Sequence, residues 1–256
     1  MTSQAGVESE SFRPENDRPT RSFDPTRSSM RLGSLIYDQL KQRLLEGTYA
    51  AGERLSVEAL RTEFEVSKQP VMDALRRLAG ERLVDIIPQV GIQVSTYSQR
   101  EVKDFFRLFA GVESTITEIA ALRRSESQLV ELTRVEARVA NLRTETDPAE
   151  RARLYRILNR QFHSVIHTMA GSEIMMDIAQ RMFDLSDFLI NTSGIPAPLT
   201  TAIDERHSDH EEILESLLNR DAEGARRQME RHILDTVADI NDTGADAEEA
   251  KSKKES

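Results

Sequence analysis

The chain has 256 residues, of which 30% are charged and 5% aromatic, with no Trp and no Cys. That makeup suits a soluble, helix-rich protein of two ordinary domains. It excludes disulfides and thiolate metal sites, and no apolar run approaches the roughly eighteen residues of a membrane-spanning helix. The net charge of −10 argues at first against nucleic acid, but residues 31–98 hold nine basic and nine acidic side chains, leaving net −1 on residues 1–30 and net −9 on residues 99–256. DNA affinity follows the local field over the contacting face, so this balance permits DNA binding without requiring it.

Residues 1–30 are polar and Pro-containing, with no apolar segment of a secretory signal. They read as a disordered arm, and the expected location is the cytoplasm. The N-terminal domain, residues 31–97, opens with Leu35, Ile36, Leu40 and Leu44 at helical spacing, ending at Gly47. A turn through Gly52 leads to Ser56, the expected N-cap of a short second helix whose inner face is Val57, Leu60 and Phe64. Ser67 is the expected cap of a third helix, with Val71, Ala74, Leu75 and Leu78 inward and Pro70 in the first turn, where its missing N–H costs little. Two β-rich runs follow, Leu83–Ile87 and Ile92–Val94, joined by a turn at Pro88–Gly91.

Capping signals mark the second half. Ser98 with Glu101, Ser125 with Gln128, and Asp147 with Glu150 fit capping boxes, with Pro148 at the first helical position. Ser172 starts another helix, Ser193–Pro198 reads as a loop, and Arg220-Asp221 separates the last two helices. About nine helices and one hairpin emerge in all. Residues 98–242 therefore predict an antiparallel all-helical bundle, and residues 243–256 a disordered tail.

Two short helices, a tight turn and a hairpin make a winged helix-turn-helix. The third helix offers Lys68, Gln69, Met72, Asp73, Arg76 and Arg77 outward, as a helix entering the major groove must. Its N-terminus at Ser67 suits a phosphate oxygen, and Gly91 at the wing tip allows close approach to the backbone. Similar units also serve as protein–protein modules. The stretch from Glu46-Gly47 through Ala51-Gly52-Glu53-Arg54-Leu55 to Val66–Leu78 resembles the GntR family of bacterial regulators, and Pro88–Val94 resembles its wing. The resemblance implies that Ser67, Lys68, Gln69 and Pro70 open a recognition helix and that Gly91 belongs to the wing; Arg76, on the same outward side by spacing, is the further expected DNA contact. The family usually has Arg at position 68, Thr at 69 and Arg-Glu at 72–73, so relatives' operator preferences do not transfer.

All five histidines fall in the second half. Asn159 and His163 share one helical face, while His207 and His210, then His232, lie on the apolar stripes of the last two helices. Three inward imidazoles and an amide oxygen suit Zn²⁺, Ni²⁺ or a similar ion. The same histidines also fit a core in which each is hydrogen-bonded to a neighbour. Asn159–His163, His210–Ile213, Asp221 and His232 resemble the FadR-like (FCD) subfamily of GntR regulators. That resemblance implies a divalent metal on Asn159, His163, His210 and His232 beside an effector pocket, with His167 and His207 outside the ligand set. Where many members have an effector-gripping Arg four residues before Glu113, this chain has Phe109, which argues against a simple organic-acid effector there.

The expectation is a mainly α protein, not an enzyme: a ligand-responsive transcriptional repressor or activator. Its expected partners are a double-stranded DNA operator, a small-molecule effector and a second copy of itself, without membrane contact. Phe105, Phe106 and Phe109 predict part of the dimer face, on the premise that they cannot all enter one core. A metal-free effector pocket, a metal-dependent hydrolase and an interaction adaptor are the competing readings.

Overall fold

The computed structural model describes residues 25–192 and 203–235. The N-terminal unit comprises α1 (Pro25–Leu45), β1 (Arg54–Leu55), α2 (Val57–Glu63), α3 (Lys68–Gly80), β2 (Val84–Ile87) and β3 (Gly91–Val94). Leu40 and Leu44 of α1 and Val71, Leu75 and Leu78 of α3 are all buried. Their 3.6-residue spacing lets the two helices close one core over the sheet. Ser56 caps α2 by accepting from Ala59 N–H, whereas Ser67 sits at the N-cap of α3 without a side-chain bond. That leaves the first N–H groups of α3 without its hydroxyl as an acceptor.

The sheet is antiparallel, in the order β1-β3-β2. The hairpin pairs Val84 with Val94 and Ile87 with Gly91, as the alternating runs predict. The β1 strand is an addition to that expectation: it pairs Arg54 with Gln93 and Leu55 with Ile92. Two residues hold too short an alternation to be read from sequence.

The C-terminal unit comprises α4 (Gln99–Arg123), α5 (Glu126–Asn141), a 3₁₀ turn (Leu142–Thr144), α6 (Pro148–Ala170), α7 (Glu173–Thr192) and α8 (Ile203–Leu218). A last helix, α9, spans residues 222–235. Within this bundle α4 packs on α6 and α7, and α5 packs on α6 and α8. Complete capping boxes form at Ser98/Glu101 and Ser125/Gln128. At α6, Asp147 caps through Ala149 N–H and Pro148 occupies the first turn, but Glu150 binds Arg153 instead of closing a box. No described helix is long and apolar enough to cross a membrane.

Two further expectations need adjustment, and others fall outside the described residues. Helix α1 begins at Pro25, inside the stretch read as an arm. Residues 1–24, the Ser193–Pro198 loop and the 243–256 tail lie outside the described residues. Finally, the three phenylalanines of α4 do share one cluster. Phe106 and Phe109 are buried, Phe105 stacks on Phe109 at 5.8 Å, and Phe109 meets Phe183 edge-on. The three rings contact one another directly, and Phe183 reaches across from α7 to meet Phe109.

The units meet where α1 lies against α7. Asn191 Nδ2 donates to Leu45 O at 2.8 Å, and a Cβ on Gly47 would stand 2.5 Å from Asn191 O. Gly47 also has φ +71°. Only glycine meets both demands.

Candidate functional site

The outward side of α3 presents Lys68, Gln69 and Arg76, all exposed. They are not equally free. Asp73 Oδ1 accepts from Gln69 Nε2 and from Arg76 Nη1, each at 2.9 Å, and so holds both donors along the helix. Among the described residues, Lys68 has no such tether. Arg77 turns away from this face: its guanidinium stacks 3.6 Å from the Tyr37 ring centroid on α1. Pro70, expected among the DNA-facing residues, is instead buried and lies near Gly33 of α1. It starts the helix without facing outward. Gly91 is exposed with φ +123° and open space around it, at the end of the hairpin turn.

The histidines converge. One ring nitrogen from each of His163, His210 and His232 lies within 4.8 Å of the other two, and all three residues are buried. A carboxylate holds the opposite side of each ring. His163 Nδ1 is 2.8 Å from Glu113, His210 Nδ1 is 3.2 Å from Glu136, and His232 Nδ1 is 3.1 Å from Asp209. Nδ1–H donation to a carboxylate leaves Nε2 as a lone-pair donor. The Nε2 atoms of His163 and His210, and Oδ1 of Asn159 one turn before His163, are buried with no hydrogen-bond partner.

His167 and His207 supply the surrounding shell. His167 Nε2 bonds Glu113 at 2.9 Å, and His207 Nδ1 bonds Glu136. Glu113, His163 and His167 also group closely enough for an ion, but Glu113 is already shared between the two imidazoles. Sequence reasoning missed Glu113, Glu136 and Asp209 as partners, because carboxylates from other helices carry no spacing signal toward these rings. Glu113 and Glu136 stand at apolar-stripe positions of α4 and α5 and are fully or nearly fully buried. An acidic residue where the helical period wants an apolar one was the available clue.

Electrostatics agree with neutral ligands. Burial lowers the pKa of His163 despite the Glu113 contact. It lowers His232 further, with His210 and His163 adding to the effect. Burial alone would raise Glu113, but the hydrogen bonds from His163 and His167 prevail and bring it down to about 2. An anionic Glu113 beside neutral imidazoles is the state a cation needs.

Aromatic rings wall the centre. Phe162 stacks on His210 at 4.0 Å, and Phe183 lies 4.9 Å from His163. Through Phe183, Phe109 belongs to this wall.

Two family models match: "Bacterial regulatory proteins, gntR family" over residues 32–94 and "FCD domain" over residues 104–235. The HTH-type transcriptional repressor GlaR of Escherichia coli K12 is 23% identical over 78% of this chain and 92% of its own length. The repressor RspR of the same organism is 26% identical, over 82% and 91%. Among solved structures, E. coli McbR/YncC superposes with a TM-score of 0.68 at 19% identity, covering 82% of this chain and 97% of that one. A GntR regulator from Rhodococcus sp. RHA1 gives 0.66 at 17% identity, over 81% and 96%.

Proposed function

Because this chain belongs to the GntR family of bacterial regulatory proteins and carries an FCD domain, we propose that it is a dimeric repressor or activator whose grip on its operator is set by an effector beside a divalent metal. That it is a DNA-binding transcriptional regulator, and not an enzyme, follows from the family and its named relatives. The metal, the effector, the dimer and a cytoplasmic location are our reading, as are the domain limits 31–97 and 98–242.

One observation carries the metal. Three buried acceptors, Asn159 Oδ1, His163 Nε2 and His210 Nε2, lack partners, and each such atom left alone costs about 1–3 kcal/mol. A cation held by Asn159, His163, His210 and His232 satisfies them together. All four are nitrogen or amide-oxygen donors, a set that suits Zn²⁺ or Ni²⁺. When bound, such an ion supplies Lewis acidity to an effector's oxygen or nitrogen. The protein's own part is orientation: Glu113, Glu136 and Asp209 fix the imidazole tautomers and bring negative charge one bond away. That charge partly offsets the neutral Asn159, whose lack of charge still leaves the site weaker than one with Asp in its place. The aromatic wall at Phe109 and Phe183 favours an effector with an apolar body.

A dimer face is supported by α4, where Leu108 and Leu122 are 63% and 60% exposed and lie on one outward stripe with Thr115 and Ile119. Paired heads match a two-fold operator. Elemental analysis of untagged protein, beside His163→Ala and His210→Ala, tests the metal. Stoichiometric Zn or Ni lost in both variants is expected. A parent without metal, whose melting temperature ignores added Zn²⁺ and Ni²⁺, leaves these histidines as ordinary pocket residues. Light scattering of Leu108→Glu with Leu122→Glu, expected to give monomer, tests the dimer.

A further inference from the structure

Arg153, Arg156 and Arg160 follow one another at i, i+3 and i+7 on α6, and all three line a cleft of about 300 Å³ between α6, α7 and α1. Residues this far apart on a helix share a face. Two of the three are neutralised. Arg153 is gripped by Glu150 through two bonds of 2.7 Å, and Arg160 bonds Asp184 at 2.6 Å and Asp187 at 2.5 Å. Arg156 forms no ion pair among the described residues. Its one hydrogen bond runs to the amide oxygen of Asn191, at a long 3.4 Å.

We propose that this cleft binds a small organic anion with Arg156 as its anchor, at a site separate from the histidine centre. Arg156 is partly buried and makes no direct ion pair among the described residues, with Asp187 acting on it only at longer range, so its fork of donors stays matched to a carboxylate. The facing wall contributes Asp38, Lys41 and Gln42 of α1 and Glu46 just after it, Asp187 of α7 lies beside them, and Leu45 and Ile157 give an apolar floor. Carboxylates on the far wall accept from hydroxyl or ammonium groups, so the chemistry points to a carboxylate that also carries such donors. The volume lies at the small end for ligand pockets. A molecule touching both walls contacts the DNA-binding unit and the helical bundle at once, so it binds the docked arrangement in preference to any other.

The inference does not rest on the metal, which allows a test that separates them. Glutamate and gluconate are titrated by calorimetry into the full-length protein, Arg156→Gln, Arg156→Lys and His210→Ala. At least one probe should bind saturably to the parent and equally to His210→Ala. Arg156→Gln should weaken it about tenfold or more, without changing the probe-free melting temperature or metal content, and Arg156→Lys should recover part of the loss. Absence of saturable binding by both probes overturns the proposal. So does binding that survives Arg156→Gln but not His210→Ala, which would move the ligand to the histidine centre. A third contrary result is weaker binding of Arg156→Gln to random duplex DNA, with a salt slope lower by about one and no probe effect. That would make Arg156 a phosphate contact.

Discussion

Lys41 of α1 and Asp184 of α7 form an ion pair of 2.7 Å across the junction between the DNA-binding unit and the helical bundle. Each has a second partner on its own side. Lys41 also reaches Glu81, which caps the end of the recognition helix, at 2.7 Å. Asp184 also accepts from Arg160, the residue after the proposed ligand Asn159. Burial works against the Lys41 charge, but bonds to Asp184 and Glu81 outweigh it and hold the ammonium above its ordinary range. Lys41→Met should cost about 1–3 kcal/mol, because it leaves two shielded carboxylates short of a partner. Urea unfolding measures the loss, and limited proteolysis between the units should quicken. An unchanged denaturation midpoint would show that the junction does not depend on this pair.

On α3, Asp73 restrains Gln69 and Arg76 and adds a negative charge to the face we propose for DNA. Asp73→Ala should therefore tighten binding to random duplex DNA, by less than about 1 kcal/mol for so exposed a pair. Lys68→Ala should cost about 1–3 kcal/mol at an operator recovered by selection, if Lys68 reads a base. Fluorescence anisotropy across a salt series reads both. If Lys68→Ala together with Arg76→Ala leaves affinity and footprint unaltered, this face is not the reading face.

The carboxylates around the imidazoles should tune the metal without touching it. Glu136→Gln is expected to lower Zn²⁺ affinity about 10–100-fold, since Glu136 holds Nδ1 of His210 and of His207. Asn159→Asp should act the other way by placing a charge on the ion itself. Competition against a fluorescent chelator ranks the three proteins. Equal affinities would place the ion elsewhere.

Stability of the metal-free protein should fall with acidification. His163 and His232 stay neutral in the fold below the ordinary histidine range, whereas unfolded histidines take up protons there. The unfolded chain thus binds more protons as pH drops, and the balance shifts toward it. Glu113, held down to about 2, extends the same trend: its contribution is present above the unfolded carboxylate pKa and is lost as pH falls toward its folded value. Melting temperature should decline steadily from about pH 7 to about pH 4. His232→Gln should flatten the upper part of the curve. A level profile between about pH 7 and pH 5 would contradict the neutral, buried imidazoles.

Local signals carried most of the architecture. Leu40, Leu44, Val71, Leu75 and Leu78 declare two amphipathic helices by spacing alone. Ser98, Ser125 and Asp147 declare helix starts through bonds to backbone within three residues, so a short window of sequence holds all the partners. The four-residue pairing of Asn159 with His163 is equally local. Tertiary structure decided everything whose partners lie far apart in the chain. It joined His163 to Glu113 and His210 to Glu136, turned Arg77 onto Tyr37, buried Pro70 near Gly33, and set Phe183 of α7 against the cluster of Phe105, Phe106 and Phe109. It also set Lys41 against Asp184 and left Arg156 with no direct ion pair among the described residues. Periodicity tells which way a side chain faces within its own helix. What it meets there depends on how the helices pack, and that information is spread over the whole chain.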